Sequence, residues 1–250
     1  MRPLSRAALA FTARALATAT LIGDAACSAP PPSTPATAPA GSAETTWPGF
    51  DYASAARRGL SVFELQPGES RIDVVARRSG ALASFGHDHV VRIDDVEGYL
   101  MLGGALEEAR GDIRFGVETL RIDEARDRER HGLDTQPDDE DIEGTRKNLL
   151  GHILDPARWP AIELRLSDFR HDPAGFSALV RFFVDGAVHS AREPFQLEQD
   201  SGRVVASGEF SILQTDLGLV PFSALGGALR VADRLEVHFE ITGAQIQPGE

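Results

Sequence analysis

Apolar and polar residues alternate along most of the chain from Glu69 onward, the pattern of strands with one buried and one solvated face. The alternation is clearest near the C terminus, at Leu235, Val237, Phe239 and Ile241. Similar stripes run through residues 72–76, 113–117, 162–166, 176–184 and 204–212. About eight such strands predict an all-β fold, an antiparallel barrel or sandwich, because strands of a parallel α/β sheet are apolar on both faces.

One segment interrupts the alternation. Residues 134–141 form an acidic, proline-containing stretch, which predicts a loop. After it, apolar residues recur at helical spacing at Ile142, Leu149, Leu150 and Ile153. Asp155-Pro156 then ends the run, since proline cannot continue a helix. We therefore expect one short amphipathic helix among the strands, covering an open end of the barrel.

The N-terminal region has the layout of a secretory signal. Arg2 and Arg6 precede an apolar run at residues 15–23, and small residues follow at Ala25 and Ala26. The run is shorter than the ~20 residues that span a bilayer. We expect a signal peptide at residues 1–26, a linker rich in proline and alanine at 27–60, a β-barrel domain at 61–247, and export to the periplasm.

Cys27 is the only cysteine, so the chain forms no intrachain disulfide and no cysteine-based metal cluster. Its position after small residues resembles the lipidated cysteine of bacterial lipoproteins, although Asp24 stands where that motif usually has a leucine-like residue. Two interpretations stay open. Cys27 carries a lipid anchor, or the chain is cleaved near Ala25 without lipidation.

Composition narrows the classes of partner. The chain is 42% hydrophobic, and its 13 Phe outnumber two Tyr and two Trp, so most aromatic rings need no hydrogen-bond partner when buried. The formal net charge of −13 repels phosphate backbones and anionic lipid headgroups. A nucleic-acid partner is therefore excluded, and any membrane association would come through a lipid anchor alone.

Several landmarks occur in a characteristic order: residues 96–100, 146–150, 154–162, Ser167, 208–218 and 235–241. In this order and spacing, residues from about Phe63 to Ile246 resemble the YceI-like family of periplasmic polyisoprenoid-binding proteins. The resemblance implies an extended, lipocalin-like eight-stranded barrel with an apolar lumen. One departure is Arg146-Lys147-Asn148, where the family's helix often carries an Arg-Asp pair and a histidine.

The alternating faces and this resemblance together supply the candidate ligand-binding residues. We expect seven apolar side chains to line the lumen: Phe115, Ile162, Leu164, Phe182, Phe210, Val237 and Phe239. As core packing they would need no ligand, since an eight-stranded barrel either holds one small ligand or is filled by its own side chains. The alternation alone does not separate these two cases.

His87 and His89 flank Asp88 and project to the same side of an extended chain. They are expected at the barrel mouth, where they could donate hydrogen bonds to a polar ligand group such as a quinone carbonyl. Alternatively, they hold a metal with His152 or His189 as a third ligand, or they are simply polar residues at a strand end. No metal ligand set or cofactor is expected.

Nothing in the sequence indicates catalysis. Ser84, Ser190 and Ser223 lack the context of a hydrolase nucleophile, and no glycine-rich phosphate loop follows a strand. We predict a carrier, not an enzyme, that binds a polyisoprenoid, an isoprenoid quinone or another lipid. The alternatives are a periplasmic metal- or haem-associated protein that uses His87 and His89, and a filled barrel that acts as an interaction module.

Overall fold

The computed structural model describes residues 46–173 and 175–247. The predicted signal peptide, Cys27 and most of the predicted linker lie outside these residues. Three α-helices are present in the described part: α1 (Tyr52–Arg57), α2 (Ala125–Arg130) and α3 (Asp139–Asn148). The strands are β1 (Ser61–Leu65), β2 (Arg71–Ser79), β3 (His89–Ile93), β4 (Val96–Leu102), β5 (Arg110–Gly116), β6 (Arg121–Ile122), β7 (Ala161–Asp172), β8 (Gly175–Val184), β9 (Ala187–Asp200), β10 (Arg203–Leu213), β11 (Ser223–Ala224) and β12 (Leu229–Gln245).

The strands close into an antiparallel barrel in which successive segments of the chain are neighbours. β1, β4, β5, β7, β8, β9, β10 and β12 form the ring, and β12 closes it by pairing with β1. Three further strands extend strands of the ring past short irregular breaks: β2 follows β1, β3 precedes β4, and β6 follows β5. β2 pairs with the other half of β12, and β3 pairs with β2 and β6. The predicted all-β, eight-stranded barrel with a short helix is thereby confirmed.

Two tight turns fix the register of the central hairpins. Asp185 and Gly186 both have positive φ, 47° and 79°, and so do Ser201 and Gly202, 45° and 82°. Positive φ at both central residues defines the type I′ turn, whose twist matches that of the flanking strands. The sequence predicts the first of these turns from Asp185-Gly186, and the structure confirms it.

The long helical insertion lies between β6 and β7. Asp138 caps α3 in a reciprocal capping box with Asp141, and the chain continues as one wider helical turn through Leu149–Ile153. Leu149, Leu150 and Ile153 pack against the main core inside the barrel. The predicted helix, and its place over an end of the barrel, are therefore confirmed.

Part of the segment predicted as a linker, 27–60, lies within the described residues. Within it, α1 packs against the outer face of the sheet, with Tyr52 and Ala55 buried against Val62 and Met101. The Tyr52 hydroxyl donates a hydrogen bond to Asp112 at 3.0 Å, and burial raises the pKa of both side chains. The packed domain thus begins before residue 61, because α1 covers apolar side chains that point away from the lumen.

No helix in the described residues is long and apolar enough to cross a membrane.

Candidate ligand-binding site

The two ends of the barrel differ in how they are filled. We call the end where β1 begins and β12 finishes the closed end, and the end beneath α3, where β2 finishes and β3 begins, the open end. At the closed end, Phe63, Phe169 and Val204 are fully buried in one cluster that also contains Phe195. Phe169 and Phe195 pack edge to face, 5.7 Å between ring centroids.

The open end contains a large cavity. Its volume is about 680 Å³, within the range of roughly 300–1,000 Å³ that is typical of small-molecule sites. Branched and aromatic side chains of the strands form its walls, and Leu149 and Ile153 from the helical insertion form part of its roof. We call it the outer cavity. Largely apolar walls favour apolar ligands, because binding removes the ligand's apolar surface from water.

A smaller cavity of about 110 Å³ lies between the outer cavity and the closed-end cluster. We call it the inner cavity. Five side chains border both cavities and form a layer that we call the waist: Ile72, Leu164, Phe182, Phe210 and Val237. The rings of Phe182 and Phe210 are 6.2 Å apart, and Phe210 is also 6.2 Å from Phe239. The lumen therefore contains two largely apolar cavities, one on each side of the waist.

The structure places all seven predicted lumen residues on these walls. Phe115 and Ile162 line the outer cavity, and Phe239 lines the inner cavity. The remaining four belong to the waist: Leu164, Phe182, Phe210 and Val237. The alternation locates them because every second residue of each strand points inward. Their role in holding a ligand stays a prediction.

His87 and His89 both border the outer cavity, with ring centroids 6.3 Å apart. Nδ1 of His89 is 2.6 Å from Oδ2 of Asp123, and Arg128 pairs with the same carboxylate. Burial raises the pKa of Asp123, but the hydrogen bond from His89 and the charge of Arg128 more than offset this and hold it below its usual value. The Asp123 carboxylate therefore accepts a hydrogen bond from Nδ1–H and orients the His89 ring.

His87 is held less firmly, since its Nε2 lies 3.8 Å from Asp141 of α3. His152, one of the two residues considered as a third metal ligand, is exposed on the helical insertion. In residues 46–173 and 175–247, no group of three or more His, Cys, Asp or Glu side chains is placed to hold a metal ion. The two histidines are therefore positioned as polar groups on the wall of an apolar cavity.

Glu193 is a lumen residue that the sequence analysis does not identify. It lines the inner cavity beside Phe195 and Ala178, and burial alone raises its pKa from 4.5 to about 7. Its strand shows no apolar stripe, because the inward positions before it are His189 and Ala191. The Asp185-Gly186 turn is the feature of the sequence that could identify Glu193 as a lumen residue, because the register it sets pairs Glu193 with inward-facing Ala178.

Exposed apolar side chains gather at the open end. The large apolar residues that are strongly exposed in the described part of the chain are Phe85, Val188, Val220 and Leu225. Phe85 borders the outer cavity and is 78% exposed. Val188 follows the β8–β9 turn, and Val220 and Leu225 lie in the connection from β10 to β12. These four residues form an apolar rim at the end that holds the larger cavity.

Comparisons with known proteins agree with this architecture at the level of the fold. BcnA of Burkholderia cenocepacia superimposes with a TM-score of 0.53 at 10% identity, covering 71% of this chain and 98% of that one. A polyisoprenoid-binding domain from Saccharophagus degradans, implicated in plant cell wall breakdown, gives 0.50 at 11% identity, covering 74% and 98%. The YceI protein of Campylobacter jejuni gives 0.44 at 10% identity, covering 62% and 84%.

No protein-family model and no curated protein matches the sequence. The fold is nevertheless shared with the first two structures over almost their entire length. The barrel predicted from the order of landmarks is thus confirmed as the fold of this chain.

Proposed function

We propose that this chain is a YceI-like carrier that binds an apolar ligand of the polyisoprenoid class in its lumen and catalyses no reaction. The observation that carries the proposal is the outer cavity, about 680 Å³ of space with largely apolar walls at one end of a barrel that is tightly packed at the other. Its lining supports binding by hydrophobic burial, at ~0.8 kcal/mol for each methylene removed from water.

Two further features support this ligand class. The inner and outer cavities lie one beyond the other along the lumen, an arrangement that suits a long, thin molecule better than a compact one. The apolar rim at the open end gives such a molecule a route that avoids full exposure to water. The Saccharophagus domain, which has the same fold, is described as polyisoprenoid-binding.

The proposed location is the periplasm, on the strength of the predicted signal peptide at residues 1–26. Fractionation of a bacterial host tests this, because full-length protein retained in the cytoplasm would contradict export. Cys27→Ser separates the two interpretations of the leader. Release from the membrane fraction would establish an anchor at Cys27, and an unchanged distribution would exclude one.

The binding test uses diphenylhexatriene, an uncharged fluorophore whose emission rises in an apolar site, and its displacement by geranylgeraniol. Phe210 faces inward at the waist, and Ser211, the next residue of β10, faces solvent. Phe210→Arg is expected to lower affinity for both molecules by at least roughly tenfold, because a charge in the lumen must be desolvated. Ser211→Arg is the matched control and should bind like the wild type.

Phe182→Arg provides a second inward variant at the waist, and circular dichroism reports whether each barrel survives. A cavity can accommodate a bulky side chain that a packed core cannot. Near-native spectra with binding lost in at least one inward variant would support the carrier. If both inward variants unfold and the wild type binds no diphenylhexatriene, the lumen is filled and the proposal is wrong.

A further inference from the structure

The backbone pairing in the wall of the barrel is interrupted between β9 and β10. The two strands pair from the turn at Ser201-Gly202 as far as Gln196 and Ser207. Beyond that point, in the described residues, β9 pairs only with β8 and β10 only with β12. We call the unpaired stretch, residues 187–194 of β9 opposite 208–213 of β10, the seam.

Pro194 explains why the pairing stops where it does. In a two-residue hairpin, the residues flanking the turn form a hydrogen-bonded pair, and every second pair after it does the same. Counted from Asp200 and Arg203, the rung after Gln196 and Ser207 that requires hydrogen bonds would join Pro194 to Glu209. Proline has no N–H to donate, so the ladder ends at this rung.

The seam is bounded at both of its ends. At the closed-end side, a Cβ added to Gly208 would lie 3.0 Å from the carbonyl oxygen of Pro194, so glycine is what lets the strands stay close there. At the open-end side, a Cβ on Gly218 would lie 2.8 Å from the Cβ of Ala187, so the segment after β10 touches the start of β9. The seam is therefore an unpaired stretch bounded by close contacts at both ends.

Glu193 lies within the seam and faces the lumen. It precedes Pro194, faces inward opposite Ala178 and is half-buried on the wall of the inner cavity. In residues 46–173 and 175–247, no hydrogen bond or ion pair reaches its carboxyl group, and burial raises its pKa to about 7. Burying a carboxyl group without a hydrogen-bond partner costs free energy. A ligand group that donates a hydrogen bond to it would offset that cost.

We infer that Glu193 forms a subsite for the polar end of the lumen ligand, and that this end is a hydrogen-bond donor such as an alcohol or a phenol. The inference rests on the proposed function and makes it more specific. The apolar chain would cross the waist into the outer cavity, and the donor would sit at the seam. Diphosphate, phosphate and carboxylate ends are disfavoured, because a second negative charge would lie beside the Glu193 carboxylate.

The test compares geranylgeraniol with its methyl ether, which has the same chain and oxygen but no donor. Displacement of diphenylhexatriene at pH 8, where Glu193 is ionised, measures both affinities. The wild type is expected to prefer the alcohol by roughly tenfold, the effect of one hydrogen bond to a charged group. Glu193→Leu should abolish the preference without weakening the ether, and Glu193→Gln, which keeps an acceptor oxygen, should retain part of it.

Glu198→Leu is the matched control, since Glu198 is an exposed carboxylate on the other face of β9, and it should keep the wild-type ratio. Equal affinities for alcohol and ether in the wild type, or a preference that survives in Glu193→Leu, would overturn the subsite and leave the apolar carrier standing. Failure of diphenylhexatriene to bind the wild type would instead overturn both proposals.

Discussion

At the closed end, Phe63, Phe169 and Phe195 are packed together in one cluster, whereas at the open end Phe115 and Ile162 face about 680 Å³ of cavity. Both ends belong to the same ring of strands and show the same alternation of apolar residues. What distinguishes them is the element that completes each end. Aromatic side chains of the strands fill the closed end, and a helix roofs the open end without filling it.

This difference indicates that the outer cavity results from how the helix and strands are arranged and not from a shortage of apolar residues. Inward apolar side chains also line the open end, and Leu149 and Ile153 of the helical insertion pack against some of them while forming part of the cavity roof. Hydrophobic burial at the closed end can stabilise the barrel while the open end stays available for a ligand. Variants at the two ends should therefore have unequal effects.

The largest expected effect is on stability at the closed end. Phe63 is fully buried, so Phe63→Ala should lower the free energy of unfolding by about 3–5 kcal/mol, the usual cost of removing a packed aromatic ring. Phe115→Ala should cost at least ~1 kcal/mol less, because the ring already borders a cavity and loses fewer contacts. Urea unfolding followed by circular dichroism measures both. Equal losses would mean that the two ends are packed alike.

A smaller effect is expected from pH, through Glu193 on the wall of the inner cavity. Its pKa is raised from 4.5 to about 7, so between these values the folded chain binds a proton that the unfolded chain releases. Stability contributed by this group is therefore complete below about pH 4.5 and is lost as pH rises through 7. Because the side chain is half-solvated, we expect a loss of about 1 kcal/mol, well short of what the whole change in pKa would give.

The measurement is the difference in unfolding free energy between wild type and Glu193→Gln at pH 4.5 and pH 8, in which the other titrating groups cancel. The wild type should lose stability relative to the variant as pH rises. A difference that stays constant across this range, or that moves in favour of the wild type, would show that Glu193 titrates normally and is fully solvated.

The smallest expected effect is on hydrogen exchange along β9, and it tests the seam. The amides of Ser190 and Arg192 point toward β10 where the strands are unpaired, and those of Gln196 and Glu198 point toward it where they are paired. Exchange measured by NMR should be faster at the first two positions than at the last two. Equal protection at all four amides would mean that β9 and β10 pair along their whole length in solution.

The barrel can be predicted from the sequence because apolar and polar residues alternate along its strands. Residues 235–241 alternate so regularly that the inward face, with Val237 and Phe239, follows at once. The helix over the open end is likewise predicted by its spacing and by Asp155-Pro156. In both cases, burial on one face of a regular element leaves a period in the sequence.

The parts that escape prediction have no such period. α1 is only six residues long, within a stretch whose composition otherwise indicates a linker, and its burial depends on Val62 and Met101 facing outward. β9 presents His189, Ala191 and Glu193 to the lumen, so its inward face does not look apolar. The open state of the lumen depends on how far the helix stands above the strands, a distance that the sequence of neither element encodes by itself.

Intermolecular NOEs between geranylgeraniol and the labelled methyl groups of the protein test the central claim most directly, that the open end of the lumen holds an apolar ligand. The account predicts cross-peaks from the isoprenoid chain to Ile162 and Ile212 in the outer cavity and to Val237 at the waist, with none to Val62 beneath α1. Cross-peaks confined to the exposed methyl groups of Val188 and Val220, or none at all, would contradict it.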